Sequence, residues 1–107
     1  MNEEKINNAF EELELAKKEL FSAGERAIEK KAALEWRKVD AMQNGEIEGK
    51  NAEAREAAAK SLLAPEYEAL ELAEKDERKA RFDYDVAHIE VERVRSILRL
   101  LEVTGLK

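Results

Sequence analysis

The sequence predicts an all-α protein: a long antiparallel helical hairpin of the coiled-coil kind, with a short connecting helix, a bend near Pro65 and dimerisation into a four-helix bundle. Three observations carry this. Ala, Glu, Lys, Leu and Arg supply 69 of the 107 residues, above the roughly one-half share that marks long helices. Val, Ile and Thr together number 11, which leaves little for a sheet. Apolar residues recur at helical spacing along two long stretches. Charged residues reach 41%, yet hydrophobic residues hold 44%, too many for a disordered chain. One domain spanning residues 1–107 is the expected organisation.

The first helix is predicted over about residues 2–43. Ile6, Leu13, Leu20, Ala27, Leu34 and Ala41 recur every seven residues, flanked by Ala9, Phe10, Ala16 and Ala23, and form a coiled-coil seam. Asn2 is the expected N-cap, and Gln43-Asn44-Gly45 the stop. Residues 44–51 read as a loop. Asn51 then caps a short alanine-rich helix over 52–63. Pro65 cannot sit inside a helix without removing a hydrogen bond, so it bends the chain or opens a new helix in its first turn. The last helix, 65–103, carries Leu70, Ala73, Glu77, Ala80, Tyr84, Ala87, Val91, Val94, Leu98 and Leu101 at alternating spacings of three and four.

Charge placement favours antiparallel docking. Glu3, Glu4, Glu11, Glu12 and Glu14 open the first helix while Arg93, Arg95 and Arg99 close the last, and Lys30, Lys31, Arg37 and Lys38 face the acids at 66–77. With paired positions summing to about 107, Leu13 meets Val94, Leu20 meets Ala87 and Leu34 meets Ala73. Gly24 then makes room for Tyr84, and Glu77 meets Lys30 or Lys31 as a register-setting charge.

The last helix has more apolar residues than one seam needs. Phe82, Val86, Ile89, Ile97 and Leu100 form a second stripe, interrupted by Arg93, and Leu15, Phe21 and Ile28 lie off the seam of the first helix. Such a stripe marks an interface. The interface candidates are therefore Phe82, Val86, Ile89, Ile97, Leu100, Phe21 and Ile28, with a second copy of the chain as the expected partner.

The bulk numbers narrow the chemistry. There is no cysteine, which excludes disulfides and thiolate sites. No apolar run is long enough to span a membrane, and Met1-Asn2-Glu3-Glu4-Lys5 opens without a hydrophobic signal region, so a cytoplasmic location is expected. The net charge of −6 disfavours non-specific DNA binding. No catalytic, cofactor or metal residues are predicted. Gly45-Glu46-Ile47-Glu48-Gly49-Lys50-Asn51 resembles a phosphate loop superficially. Its glycine spacing is short, Asn replaces the hydroxyl residue, and a helix precedes it in place of a strand. His88 stands alone and reads as a solvated position beside Asp83 and Asp85. A di-iron bundle requires a Glu-x-x-His motif from each of two helices, which one histidine cannot supply. The carboxylates fall instead at i,i+4 from bases, as in Glu14/Lys18, Glu56/Lys60, Glu71/Lys75, Glu74/Arg78 and Glu77/Arg81. Trp36 is expected to pack against Leu62, Leu63 or Tyr67, the other reading being an exposed partner contact.

The turn motif Gly45-x-Ile47-x-Gly49-Lys50-Asn51-x-x-x-Arg55, followed by Tyr67 and by Val91-Glu92-x-x-Arg95-x-x-Leu98, resembles small coiled-coil hairpin proteins encoded by bacteriophages and prophages, of uncharacterised function. The resemblance covers the central loop and later helices. It implies a phage or prophage origin and a bacterial host cytosol, and brings no catalytic residues. Lys50 or Arg55 would bind carbonyls or a partner's acids. The functional expectation is a non-enzymatic, dimeric interaction or scaffolding module. The alternative is a nucleic-acid-associated factor using Lys30, Lys31, Arg37 and Lys38, or Arg93, Arg95 and Arg99. An enzyme with a metal site shared between subunits stands third. A secreted helical hairpin is a minor alternative, since Trp36 is followed by Arg37-Lys38 and not by the Trp-x-Gly of that class.

Overall fold

The computed structural model describes residues 2–105. Its elements are three helices in the order α1 (Glu3–Gln43), α2 (Ala52–Leu62) and α3 (Ala64–Thr104), with α1 packed on α3 as an all-α helical hairpin. Each boundary has a local cause. The Asn2 side chain accepts from the Lys5 N–H at 2.8 Å, and Glu3 and Glu4 sit in the first turn, where a helix's partial positive charge favours acids. α1 stops in a Schellman motif: the Glu46 N–H donates to the Ala41 carbonyl at 2.8 Å and the Gly45 N–H to that of Met42 at 3.2 Å. Gly45 supplies the positive φ of 72° that this closure needs.

Asn51 opens α2 by accepting from the Ala54 N–H at 2.8 Å. Leu63 both ends α2 and precedes α3. Its N–H donates to the Ala59 carbonyl at 2.8 Å, and its own carbonyl accepts from the Tyr67 N–H at 3.0 Å. α3 thus begins at Ala64, one residue before the expected start, and Pro65 lies in its first turn, where a missing N–H costs nothing. Ser22-Ala23-Gly24-Glu25, which has the sequence of a capping box, lies within continuous α1.

The chain packs as two compact units. The terminal unit combines the residues up to Ser22 with those from Arg78 onward; the turn unit is Ala23–Glu77. In the terminal unit Ala9 of α1 packs with Val91 and Val94 of α3, with half-buried Ile6 and Leu13 against them. In the turn unit Ala41, Ile47 and Ala59 form a cluster with Ala58 alongside. Ala23, Ala27, Leu34, Leu63 and Ala73 are also buried there. Among the described residues no polar or charged side chain is buried, so the cores are purely apolar and rich in alanine. Small side chains at these positions let the helix backbones approach closely.

The register differs from the expected one around Gly24. Leu13 packs against the cluster of Ala9, Val91 and Val94, but a Cβ at Gly24 would sit 3.2 Å from Oε2 of Glu77. The missing side chain therefore makes room for a carboxylate and not for Tyr84, whose ring lies 6.1 Å from that of His88. Glu77 precedes Tyr84 by seven residues on α3, about two helical turns, so the Gly24/Glu77 pairing falls short of the expected sum of about 107.

Candidate interaction surface

In the turn unit, every position of the central motif except Lys50 has a structural task. Gly45 closes α1. Ile47, 6% exposed, drops from the loop onto Ala41 and Ala59. Gly49 touches the start of α2 so closely that a Cβ would stand 2.7 Å from the Arg55 nitrogen and 2.8 Å from the Ala54 Cβ. Asn51 caps α2, and Arg55 Nη1 donates to the Gly49 carbonyl at 3.4 Å. Lys50 is exposed. The loop is also tied to α1, since Arg37 Nη1 lies 3.2 Å from Glu46 Oε2 and 3.3 Å from Asp40 Oδ2.

A polar junction joins all three helices and was not foreseen from the sequence. The Tyr67 hydroxyl of α3 donates to Glu56 Oε1 of α2 at 2.9 Å. Lys38 of α1 reaches Glu56 Oε2 at 3.4 Å, with its ammonium 5.5 Å from the centre of the Tyr67 ring. The Tyr67 hydrogen bond, larger than the opposing desolvation and aided by the Lys38 charge, holds the Glu56 carboxyl below its ordinary range. Lys38 is raised in turn, by the Tyr67 hydroxyl first and then by the charges of Tyr67, Glu56 and Glu35. Helical spacing assigns Glu56 to Lys60, whose charge is the last of the causes that lower the Glu56 pKa; the fold adds closer partners eighteen residues back and eleven ahead, which i,i+4 reasoning cannot reach.

Trp36 does not pack on Leu62, Leu63 or Tyr67. It is 73% exposed and lies with Ala33, Arg37 and Asp40 at a shallow depression. Leu63 and Tyr67 instead serve the helix junction and Glu56.

In the terminal unit the apolar stripe stands in solvent. Phe82 is 66% exposed, Val86 50%, Ile89 67% and Leu100 62%. Phe21 is exposed on the α1 segment of the same unit, and Ile28 on the α1 segment of the turn unit. Ile97 departs from the predicted stripe. It is half-buried, while Leu98, assigned to the seam, is exposed. These neighbours straddle the inward direction of α3, and packing of Val94 with α1 turns Ile97 inward. An open groove of ≈ 860 Å³ runs beside the stripe, lined in part by Ala9, Ala16, Phe82, Val86 and Ile89.

The charges around the stripe are ordered by their own helix. Lys79 lies 3.0 Å from Asp83, and Arg95 3.4 Å from Glu92. Arg93 grips Glu90 through two bonds of 3.1 and 2.7 Å, and Glu90 raises its pKa. Arg93 and Arg95 were expected to face the acidic start of α1; both have carboxylate partners one turn away, and Arg95 also lies 5.7 Å from the Phe10 ring centre. Glu14 and Lys18 pair as the spacing predicts, at 3.0 Å. His88 is exposed. Among the described residues no helix is long and apolar enough to cross a membrane, and no group of three or more potential metal ligands converges.

The fold and surface thus define a class, the all-α helical hairpin with an unpartnered apolar stripe. No family model, curated protein or solved structure matches the chain.

Proposed function

We propose that the protein is a non-enzymatic interaction or scaffolding module that works as a homodimer, an accessory protein of a bacteriophage or prophage in the bacterial cytosol. The observation that carries the interaction role is the row Phe82, Val86, Ile89 and Leu100, each at least half exposed on one helix. Repeated large apolar residues on one face cost free energy in water and are retained where a partner covers them. The phage or prophage origin is supported by the turn-motif resemblance alone.

The nucleic-acid reading loses ground on geometry. Arg37, Lys38, Arg93 and Arg95 are each already engaged by carboxylates, and a phosphate would have to displace them. Light scattering on the full chain is expected to give a dimer mass at micromolar concentration; a monomer mass at 100 times that concentration sinks the homodimer reading. A salt titration of DNA binding is expected to find none even at low salt.

A further inference from the structure

Resting on the homodimer reading, we infer that the second copy docks on the outer face of α3 through its own α3, antiparallel, in one register: Phe82 opposite Leu100 of the second copy, Val86 opposite its Ser96, and Ile89 opposite its Arg93.

The spacing comes first. Phe82, Val86, Ile89, Arg93, Ser96, Leu100 and Val103 follow one another at 4, 3, 4, 3, 4 and 3 residues, which is a heptad seam. The inward residues Tyr84, Ala87, Val91, Val94 and Leu101 occupy the other side of the same heptads, half-buried or buried. α3 therefore carries two seams, one filled by α1 and one open.

Charge then selects among registers. The apolar cluster Phe82-Val86-Ile89 is bordered by Asp83 and Glu90 on one flank and Asp85 and Glu92 on the other. A parallel pair would set Asp85 against Glu90. An antiparallel pair shifted by one heptad, with Val86 opposite Ile89, would bring Asp83 to Glu90 and Asp85 to Glu92. Both arrangements oppose like charges across an interface. In the inferred register Asp85 meets Arg99 of the second copy, twice by symmetry, and Asp83 meets Ile97. Glu90 and Glu92 do face their own counterparts at the two-fold axis, but each is bonded to Arg93 or Arg95 of its own helix, as Asp83 is to Lys79; the registers are therefore separated by Asp85, which both rejected arrangements set against a glutamate and this one sets against an arginine. The central layer buries the aliphatic stem of Arg93 over Ile89 while its guanidinium stays with Glu90. At both ends a large apolar residue meets another, Phe82 with Leu100.

The test uses complementary charge reversals on the full chain. Asp85→Arg places two arginine pairs at the interface, and Arg99→Glu two acid pairs. Each variant alone is expected to dimerise about tenfold more weakly than wild type or worse, with unchanged helicity by circular dichroism, since both positions are exposed. Mixing the two variants is expected to restore association as a heterodimer, and the double variant D85R/R99E to restore the homodimer. The chain has no cysteine, so Val86→Cys mixed with Ser96→Cys is expected to yield an oxidised heterodimer, while Val86→Cys alone stays uncrosslinked. A wild-type dimer whose single variants associate normally and show no preference for each other overturns this register and leaves the homodimer reading standing. A wild-type monomer overturns both, and leaves the stripe to a different protein.

Discussion

The two units of this small chain stabilise themselves differently. The turn unit is built around special residues: a positive-φ glycine, a glycine that admits no Cβ, an asparagine cap and a three-helix polar junction of Lys38, Glu56 and Tyr67. Its chain path is specified by local chemistry, and its core can be mostly alanine. The terminal unit has a regular repeat and a core of Ala9, Val91 and Val94, and it leaves a second apolar seam open to water. The comparison teaches that turns and caps fix the path of the chain while leaving single apolar residues such as Ile28, Trp36 and Leu72 exposed, whereas repeated apolar spacing lines such residues up into a face that asks for a partner. We read the turn unit as the part that fixes the hairpin and the terminal unit as the part that uses it.

Substitutions can break this contrast at graded cost. Leu63→Ala is expected to be the most damaging. The side chain is 1% exposed at the α2–α3 junction, and deleting such a residue costs about 2–5 kcal/mol. Denaturant unfolding checks it; a loss below about 1 kcal/mol would mean that the junction does not hold the turn unit. Gly49→Ala comes next, at roughly 1–3 kcal/mol, because its methyl would press on the backbone of α2, which cannot move without loosening the Asn51 cap. Gly45→Ala meets nothing within 4 Å, so its cost is the left-handed conformation alone, about 1–2 kcal/mol. Asn51→Ala should lose about 1 kcal/mol, and hydrogen exchange should locate the loss in α2, with the amides of the terminal unit unaffected.

The smallest effect is electrostatic. The folded-state pKa of Glu56 lies below its unfolded value, so its contribution is complete above the ordinary carboxylate range and is lost as pH falls through the folded pKa. Glu56→Gln should therefore flatten part of the acid limb of a melting-temperature profile and leave the shape near neutrality unchanged. An acid limb identical to wild type would mean that the Tyr67 and Lys38 contacts do not persist in solution.

Much of the fold was legible because it is written in local terms. Asn2, Gly45, Asn51 and Pro65 act within a few residues of themselves, and their sequence signatures led directly to the helix boundaries. The seam of α1 was legible for the same reason, since Ala27, Leu34 and Ala41 are buried at their heptad positions. What escaped lies across helices. Glu56 was assigned to Lys60 because only neighbours on the same helix are visible in a sequence. The space at Gly24 goes to Glu77 and not to Tyr84, because a nominal pairing sum does not distinguish positions two helical turns apart on the same face of α3. Trp36, expected against Leu62, Leu63 or Tyr67, stands exposed beside Ala33, Arg37 and Asp40, because spacing along one helix does not say which residues of another helix lie opposite.

By itself, then, the sequence determined the helices, their ends and the existence of two apolar seams on α3, because propensity, capping and periodicity depend on residues a turn apart. Only the tertiary structure decided the helix offset at Gly24, the Lys38–Glu56–Tyr67 junction and which of Ile97 and Leu98 turns outward. Those outcomes depend on how side chains pack across helices, and a shift of two turns there alters every contact while leaving the heptad pattern the same.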